Sequence, residues 1–98
     1  MIVKIHKGAD GKKVIAVCDS DLVGRKFEEN GLQLDLKSSF YKGEEKDGEF
    51  ILKEINQPCH LNIVGKNSID FCIKKSLINK ENIISIKGIP HAQCAIVD

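Results

Sequence analysis

The chain has 98 residues, of which 42% are hydrophobic and 30% are charged, and only two are proline. This balance predicts one compact domain over residues 1–98 rather than a disordered segment. The formal net charge of +1 excludes a strong overall field for polyanions, and no apolar run approaches the roughly 18 residues of a membrane helix. We therefore expect a cytoplasmic protein whose four cysteines stay free thiols.

The first part of the chain is rich in strand signals. Residues 1–6 and 13–18 carry isoleucine and valine around a turn with two glycines, which predicts a β-hairpin. Asp19-Ser20-Asp21 then offers a helix N-cap, and the glycines that follow leave room only for a short helical turn around Phe27. Residues 32–36 alternate leucine with polar side chains, which predicts a strand with one buried face.

The middle of the chain predicts a polar loop and then a helix. Residues 38–49 form the loop, and we expect its aromatic pair, Phe40 and Tyr41, to fold back on the core. Asp47 can cap a helix that follows it and ends before Pro58, because proline cannot continue a helix.

The last part of the chain predicts strands around a second helix. A short strand at residues 61–64 precedes a helix that Asn67 can cap, and residues 83–86 and 92–97 predict two further strands. The predicted fold class is therefore α+β. About six short strands would form a single small mixed or antiparallel sheet, with two main helices packed mostly on one face.

Charge is unevenly distributed along the chain. Residues 1–27 contain six basic and three acidic residues, residues 28–54 contain four and eight, and residues 55–98 contain five and three. The folded domain could therefore have one acidic and one mildly basic surface, or these charges could form ordinary solvated faces.

The most unusual segment is Gly88-Ile89-Pro90-His91-Ala92-Gln93. Gly88 can adopt a positive φ and Pro90 fixes its own φ, which predicts a stiff turn that presents His91 and Gln93. An imidazole and an amide supply donors, acceptors and a titratable ring. The segment is either a hairpin whose side chains bond to nearby backbone or a binding surface, with Gly88, Pro90, His91 and Gln93 as the candidate binding residues.

A second candidate region surrounds the start of the second helix. Val64-Gly65-Lys66-Asn67-Ser68 follows a strand and opens a helix, where N–H groups and the helix dipole favour an anion. The segment lacks the full nucleotide-binding loop pattern, so a plain turn or a simple anion contact at Gly65 and Lys66 are the alternatives. Asn62 lies in an apolar strand, where its amide either ties down a loop or faces a ligand.

Histidines and cysteines suggest two further kinds of chemistry. Cys59-His60 and His91-x-x-Cys94 could together offer four zinc ligands, but such spacings point side chains to opposite faces of a strand. We therefore predict no metal site and no cofactor. Cys18 ends a strand beside a candidate helix N-terminus, which could lower its pKa, and it would then need a nearby histidine to act as a nucleophile.

Short segments along the whole chain carry a family resemblance. They are Val3-Lys4-Ile5-His6, Val17-Cys18-Asp19 followed by Leu22, Gly24 and Phe27, Phe40-Tyr41-Lys42-Gly43, Asn62-Ile63-Val64-Gly65 and Gly88-Ile89-Pro90-His91-Ala92-Gln93. In these segments the chain resembles the small archaeal family of domains of unknown function numbered 424. The resemblance implies an archaeal cytoplasmic protein with a compact α+β fold.

The predicted function is a non-enzymatic binding protein of unknown specificity. The specific hypothesis is an accessory to RNA or translation machinery. Its partner would be a protein or a ribonucleoprotein, and no membrane is expected. The chain lacks the aromatic strand motif and long basic stripe of nucleic-acid modules, so any RNA contact would be modest. The alternatives are a small enzyme that uses Cys18 or His91 as its catalytic group and a structural subunit of a larger complex.

Overall fold

The computed structural model of the protein describes residues 1–55 and 57–97, and these contain eight strands and two α-helices. Short 3-10 turns at Ser39–Tyr41 and Lys80–Asn82 complete the regular structure of these residues. The elements in chain order are β1 Ile2–Lys7, β2 Lys13–Cys18, β3 Lys26–Glu29, β4 Leu32–Asp35, β5 Glu44–Glu45, α1 Gly48–Glu54, β6 Cys59–Val64, α2 Lys66–Lys74, β7 Ile83–Ile86 and β8 Ile89–Ile96.

Six of the strands form one mixed sheet in the order β5-β1-β2-β6-β8-β7, and β3 and β4 form a separate two-stranded hairpin. The central pair, β2 and β6, is parallel, whereas the other neighbouring pairs are antiparallel. The long connection from β2 to β6 contains the β3–β4 hairpin and α1, which lets it return to the same end of the sheet. This architecture confirms the predicted α+β class.

One face of the sheet, which we call the helix face, is covered by α1 and α2. The strands contribute a core of alternating residues, with Ile15 and Val17 from β2 and Leu61 and Ile63 from β6 fully buried. Ile51 of α1 and Ile69 and Cys72 of α2 close this core from above. Neither α-helix among the described residues is long and apolar enough to cross a membrane.

The opposite face, which we call the hairpin face, is covered over only part of its area. The β3–β4 hairpin and the 3-10 turn at Ser39–Tyr41 bury a second core, which contains Leu34, Leu36 and Tyr41. Phe40 packs at its margin and stacks on His6, with ring centroids 4.5 Å apart. The prediction that the aromatic pair folds back on the core is therefore confirmed.

The predicted helical turn around Phe27 is wrong, because Lys26–Glu29 forms β3. Asn30 and Gly31 both have positive φ, at 50° and 81°, and this two-residue turn joins β3 to β4. Such turns match the twist of a hairpin and favour the Asn-Gly pair. The strand forms because Phe27 can then pack against the hairpin-face core.

The predicted starts of α2 and β8 also differ from the structure. The turn before β8 consists only of Lys87 and Gly88, with φ of 55° and 77°, so Pro90 and His91 lie inside the strand and not in a stiff turn. Helix α2 begins at Lys66, and no side chain at its N-cap position caps it, so the predicted cap by Asn67 is wrong.

Candidate binding site on the hairpin face

The two strands β6 and β8 bring together three of the predicted binding residues. Asn62 and Gln93 are direct cross-strand partners, and His91 lies two residues before Gln93 on the same strand. Directly opposed residues share a face, and so do residues two apart along a strand. Asn62, His91 and Gln93 therefore lie together on the hairpin face, in the half that the β3–β4 hairpin leaves open.

His60 extends this group toward the end of the sheet that carries the β1–β2 turn. It lies two residues before Asn62, opposite Ala95, and its Nε2 is 3.0 Å from Oδ2 of Asp10. The bond to His60 is the largest cause that lowers the pKa of the Asp10 carboxyl. From the sequence, His60 was a candidate metal ligand and one of the histidines that could partner Cys18, but it was not predicted as a binding residue. The alternation of polar His60 and Asn62 with the buried residues of β6 was the signal that could have found it.

We call His60, Asn62, His91 and Gln93 the polar strip. Among the described residues, the side chains of Asn62 and Gln93 form no hydrogen bond to the protein, and Nε2 of His91 is buried without a partner. A buried polar atom without a hydrogen bond is costly, and most such atoms in folded proteins are satisfied. The strip therefore holds hydrogen-bonding capacity that the described part of the chain does not use.

His91 lies at the boundary between the covered and the open half of the hairpin face. Its cross-strand neighbours are buried Val64 on one side and Ile84, which is 49% exposed, on the other. Burial lowers the pKa of His91, because it disfavours the charged imidazolium. The ring is therefore neutral at neutral pH and offers one donor and one acceptor.

A shallow groove of about 230 Å³ adjoins His91 and is lined by Asn82, Ile84, His91, Ala92 and Gln93. Pockets that enclose small-molecule ligands usually measure about 300–1,000 Å³. The groove is smaller and combines an exposed apolar side chain with unused polar groups. This shape suits a protruding part of a larger partner better than an enclosed ligand.

The predicted anion contact at Gly65 and Lys66 is already occupied by a carboxylate of the chain itself. Asp19 is buried, and its two carboxylate oxygens accept hydrogen bonds from the N–H groups of Asn67 at 3.1 Å and Ser68 at 2.8 Å. The Ser68 hydroxyl donates a further bond to Asp19 at 2.6 Å. Because Asp19 takes the Asn67 and Ser68 amides at the start of α2, these two main-chain donors are not vacant for an external anion.

The glycines and the proline of the candidate set have local structural reasons for their identity. Gly65 has a φ of 107°, and a Cβ at this position would lie 2.3 Å from Cγ of Asp19. Its N–H donates to the Pro90 carbonyl at 2.9 Å, which joins the end of β6 to the start of β8. Gly88 occupies the second position of the tight turn before β8. A binding role for these residues and for exposed Lys66 stays a prediction.

The cysteines do not have the environment of catalytic or metal-binding residues. Cys18 is fully buried, and desolvation, followed by the nearby Asp19 and Asp21, raises its pKa to about 12. This shift is opposite to the one that activates a nucleophilic thiol. Cys59 and Cys94 contribute to the helix face, whereas His60 and His91 lie on the hairpin face. Residues 1–55 and 57–97 contain no cluster of three or more side chains suited to a metal ion.

Comparisons with known proteins place this geometry in a family. The family described as "Protein of unknown function (DUF424)" matches residues 6–97. The crystal structure of an uncharacterized conserved protein from Methanopyrus kandleri has the same fold, with a TM-score of 0.77 and 24% sequence identity over 98% of this chain and 90% of that chain. No match is found among curated proteins. Because the family match covers nearly the whole chain, the protein belongs to the DUF424 family.

Proposed function

We propose that the protein is a non-enzymatic binding protein that recognises its partner through the polar strip, and that this partner is a ribonucleoprotein of the translation machinery in an archaeal cytoplasm. The observation that carries the binding role is the unused hydrogen-bonding capacity of the strip. The buried Nε2 of His91 lies beside the free carboxamides of Asn62 and Gln93 on an open sheet face. A partner that bonds to the carboxamides of half-buried Asn62 and exposed Gln93 would use donors and acceptors that the described part of the chain leaves free.

The chemistry of the strip favours a partner that presents both donors and acceptors. Neutral His91 and the two carboxamides supply both kinds of group without net charge. Exposed nucleotide bases and ribose hydroxyls of folded RNA present matching groups, and so do main-chain amides of a protein. Exposed Lys66, the first residue of α2, lies two residues after β6 and supplies a positive charge that could contact a phosphate group.

The geometry gives less support to the alternative of a small enzyme. Cys18 is buried as a protonated thiol. His91 has no carboxylate or nucleophile within hydrogen-bonding distance among the described residues, so nothing there orients or activates the imidazole. Labelling of the native protein with a mild alkylating agent tests this alternative, and a Cys18 that reacts faster than a free thiol would support the enzyme.

Sedimentation through a sucrose gradient in a lysate of the source organism tests the proposed partner at low and at high salt. We expect the wild-type protein to travel with ribosomal particles at low salt and to be released at high salt, because contacts to RNA weaken as salt rises. The double variant His91→Ala/Gln93→Ala should stay at the top of the gradient at both salts.

Gln33→Ala is the matched control, because Gln33 is also an exposed strand glutamine but lies on β4, away from the polar strip. This variant should sediment like the wild type. If the wild-type protein stays at the top at low salt, the ribonucleoprotein partner is wrong. If the double variant still travels with the particles while Gln33→Ala behaves identically, the polar strip is not the contact surface.

A further inference from the structure

A second surface, separate from the polar strip, lies along the outer edge of β1. Strand β1 pairs with β2 over its whole length, but on its other side it pairs with β5 only at Ile2 and Val3. Among the described residues, no strand continues this pairing beside Ile5 and Lys7. A sheet edge of this kind presents free main-chain donors and acceptors to an incoming strand.

The orientation of the main chain shows which residues of β1 offer these groups. The Lys46 N–H donates to the Met1 carbonyl at 2.9 Å, so the main-chain groups of Met1 point to the outer edge. In an antiparallel strand the N–H and C=O of one residue point the same way and alternate along the chain. The main-chain groups of Ile5 and Lys7 therefore point outward as well, toward the unpaired edge.

Two cavities flank this edge and share Ile5 in their linings. The first, of about 590 Å³, lies between Ile5 and Pro58 at the β1–β2 turn. The second, of about 430 Å³, lies between Val3, Ile5 and Phe50 of α1. Alternate side chains of a strand point to the same face, so a strand added to β1 would present side chains to these apolar walls.

The same cavities are lined by six lysines and one acid. The lysines are Lys4, Lys7, Lys12, Lys13, Lys42 and Lys46, and the acid is Glu44. Lys13 pairs with Glu54 at 3.1 Å and Lys46 with Glu44 at 3.6 Å. The other four lysines have no carboxylate within ion-pair distance among the described residues. Positive charge along this edge repels basic segments and attracts acidic ones.

We propose that the outer edge of β1 at Ile5 and Lys7 binds an extended acidic peptide segment of another protein by strand addition. The peptide's main chain bonds to the free groups of Ile5 and Lys7, its apolar side chains enter the two cavities, and its carboxylates face the unpaired lysines. The apolar walls favour a peptide over an RNA backbone, which has no aliphatic side chains to place there. This surface does not overlap the polar strip, so the two proposals can fail separately.

The test uses a fluorescent peptide of alternating glutamate and valine, and the full chain. We expect saturable binding by fluorescence anisotropy. We also expect slower amide hydrogen exchange at Ile5 and Lys7, because a new strand would protect these outward N–H groups. A peptide of the same length and charge, in which proline replaces each valine, should not bind, because proline lacks the N–H that strand pairing needs.

Two variants of the protein separate main-chain pairing from charge attraction. Lys7→Pro removes an outward N–H, a change that edge strands tolerate, and it should abolish the protection at Ile5 while the protein stays folded, whereas Lys7→Gln loses the same charge but keeps the N–H and should retain the protection. Lys12→Glu should weaken binding up to about fivefold, as expected for loss of one exposed ion pair. Lys75→Glu makes the same charge change at the exposed end of α2 and should have no effect.

Three outcomes would overturn the proposal. The first is no binding of the glutamate–valine peptide at millimolar concentration. The second is binding without new protection at Ile5 and Lys7, which would mean charge attraction alone. The third is that the protein binds polyuridylate but not the peptide, and that the Lys12→Glu variant loses the binding of polyuridylate. This outcome would identify a nucleic-acid surface instead.

Discussion

The two faces of the sheet use the same strands in different ways. On the helix face, the alternate residues of β2 and β6 are apolar and fully buried beneath α1 and α2. On the hairpin face, the intervening residues of β6 change from buried Val64 to half-buried Asn62 and His60 within one strand. The helix face therefore stabilises the fold, whereas the open half of the hairpin face leaves polar groups available for a partner.

The largest effect is expected from a cavity in the helix-face core. Leu61→Ala removes a fully buried side chain of β6, and such truncations cost about 2–5 kcal/mol of the free energy of unfolding. Urea denaturation monitored by circular dichroism measures this cost. A loss below about 1 kcal/mol would mean that the helix face is not the dominant core.

The next largest effect is expected where Asp19, at the end of β2, caps α2. Asp19→Ala would leave the hydroxyl of buried Ser68 and two helix amides without an acceptor, at a cost of about 2–3 kcal/mol in the same denaturation experiment.

Ser20→Ala is the adjacent control for this cap. Ser20 donates to Glu45 at 2.6 Å, but the pair is exposed, so its loss should cost less than about 0.5 kcal/mol. Equal losses in the two variants would contradict the assigned role of Asp19.

A smaller, pH-dependent effect is expected from His91. The pKa of the His91 imidazole is lower in the folded protein than its ordinary value of about 6.5 in the unfolded chain. As the pH falls below about 6.5, the unfolded chain therefore binds more protons at His91 than the folded protein does. Stability from this group is complete above that pH and is lost as pH falls toward the folded pKa, with a slope of at most about 1.4 kcal/mol per pH unit.

His91→Gln isolates this contribution, because glutamine keeps a polar side chain but does not titrate. The unfolding free energy of the wild type relative to that of the variant, measured from pH 7 downward, should therefore decrease as the pH falls. A difference that stays constant with pH would contradict the burial of the imidazole.

The smallest effect is expected from Asn62→Ala, although Asn62 is the immediate neighbour of Leu61. Its carboxamide forms no hydrogen bond among the described residues, so its removal should change the free energy of unfolding by less than about 0.5 kcal/mol. A loss comparable to that of Leu61→Ala would show that both faces contribute equally to stability and would remove the contrast between them.

Sequence patterns predicted most of the sheet but missed elements that depend on pairing. Strands β1, β2, β6 and β7 follow from their isoleucine and valine content. Strand β5 has two residues, Glu44 and Glu45, and exists only because β1 lies beside it. Strand β3 was missed because Phe27 and its acidic neighbours have no clear alternation, although Asn30-Gly31 marks a hairpin turn.

The candidate site was predicted in its residue types but not in its arrangement. Asn62, His91 and Gln93 were selected for their chemistry, and the register of β6 against β8 makes Asn62 and Gln93 neighbours. The cap of α2 could not be inferred from local pattern, because Asp19 accepts a hydrogen bond from the N–H of Asn67, which lies 48 residues later in the chain.

The sequence by itself determined which residues of each strand share a face, because the alternation of side chains is a local property of the extended backbone. Only the tertiary structure decided which strands are neighbours and which half of the hairpin face stays uncovered. Strand order and register depend on contacts between distant segments, whose free energies no short window of sequence contains. The polar strip and the free edge of β1 both arise at this non-local level.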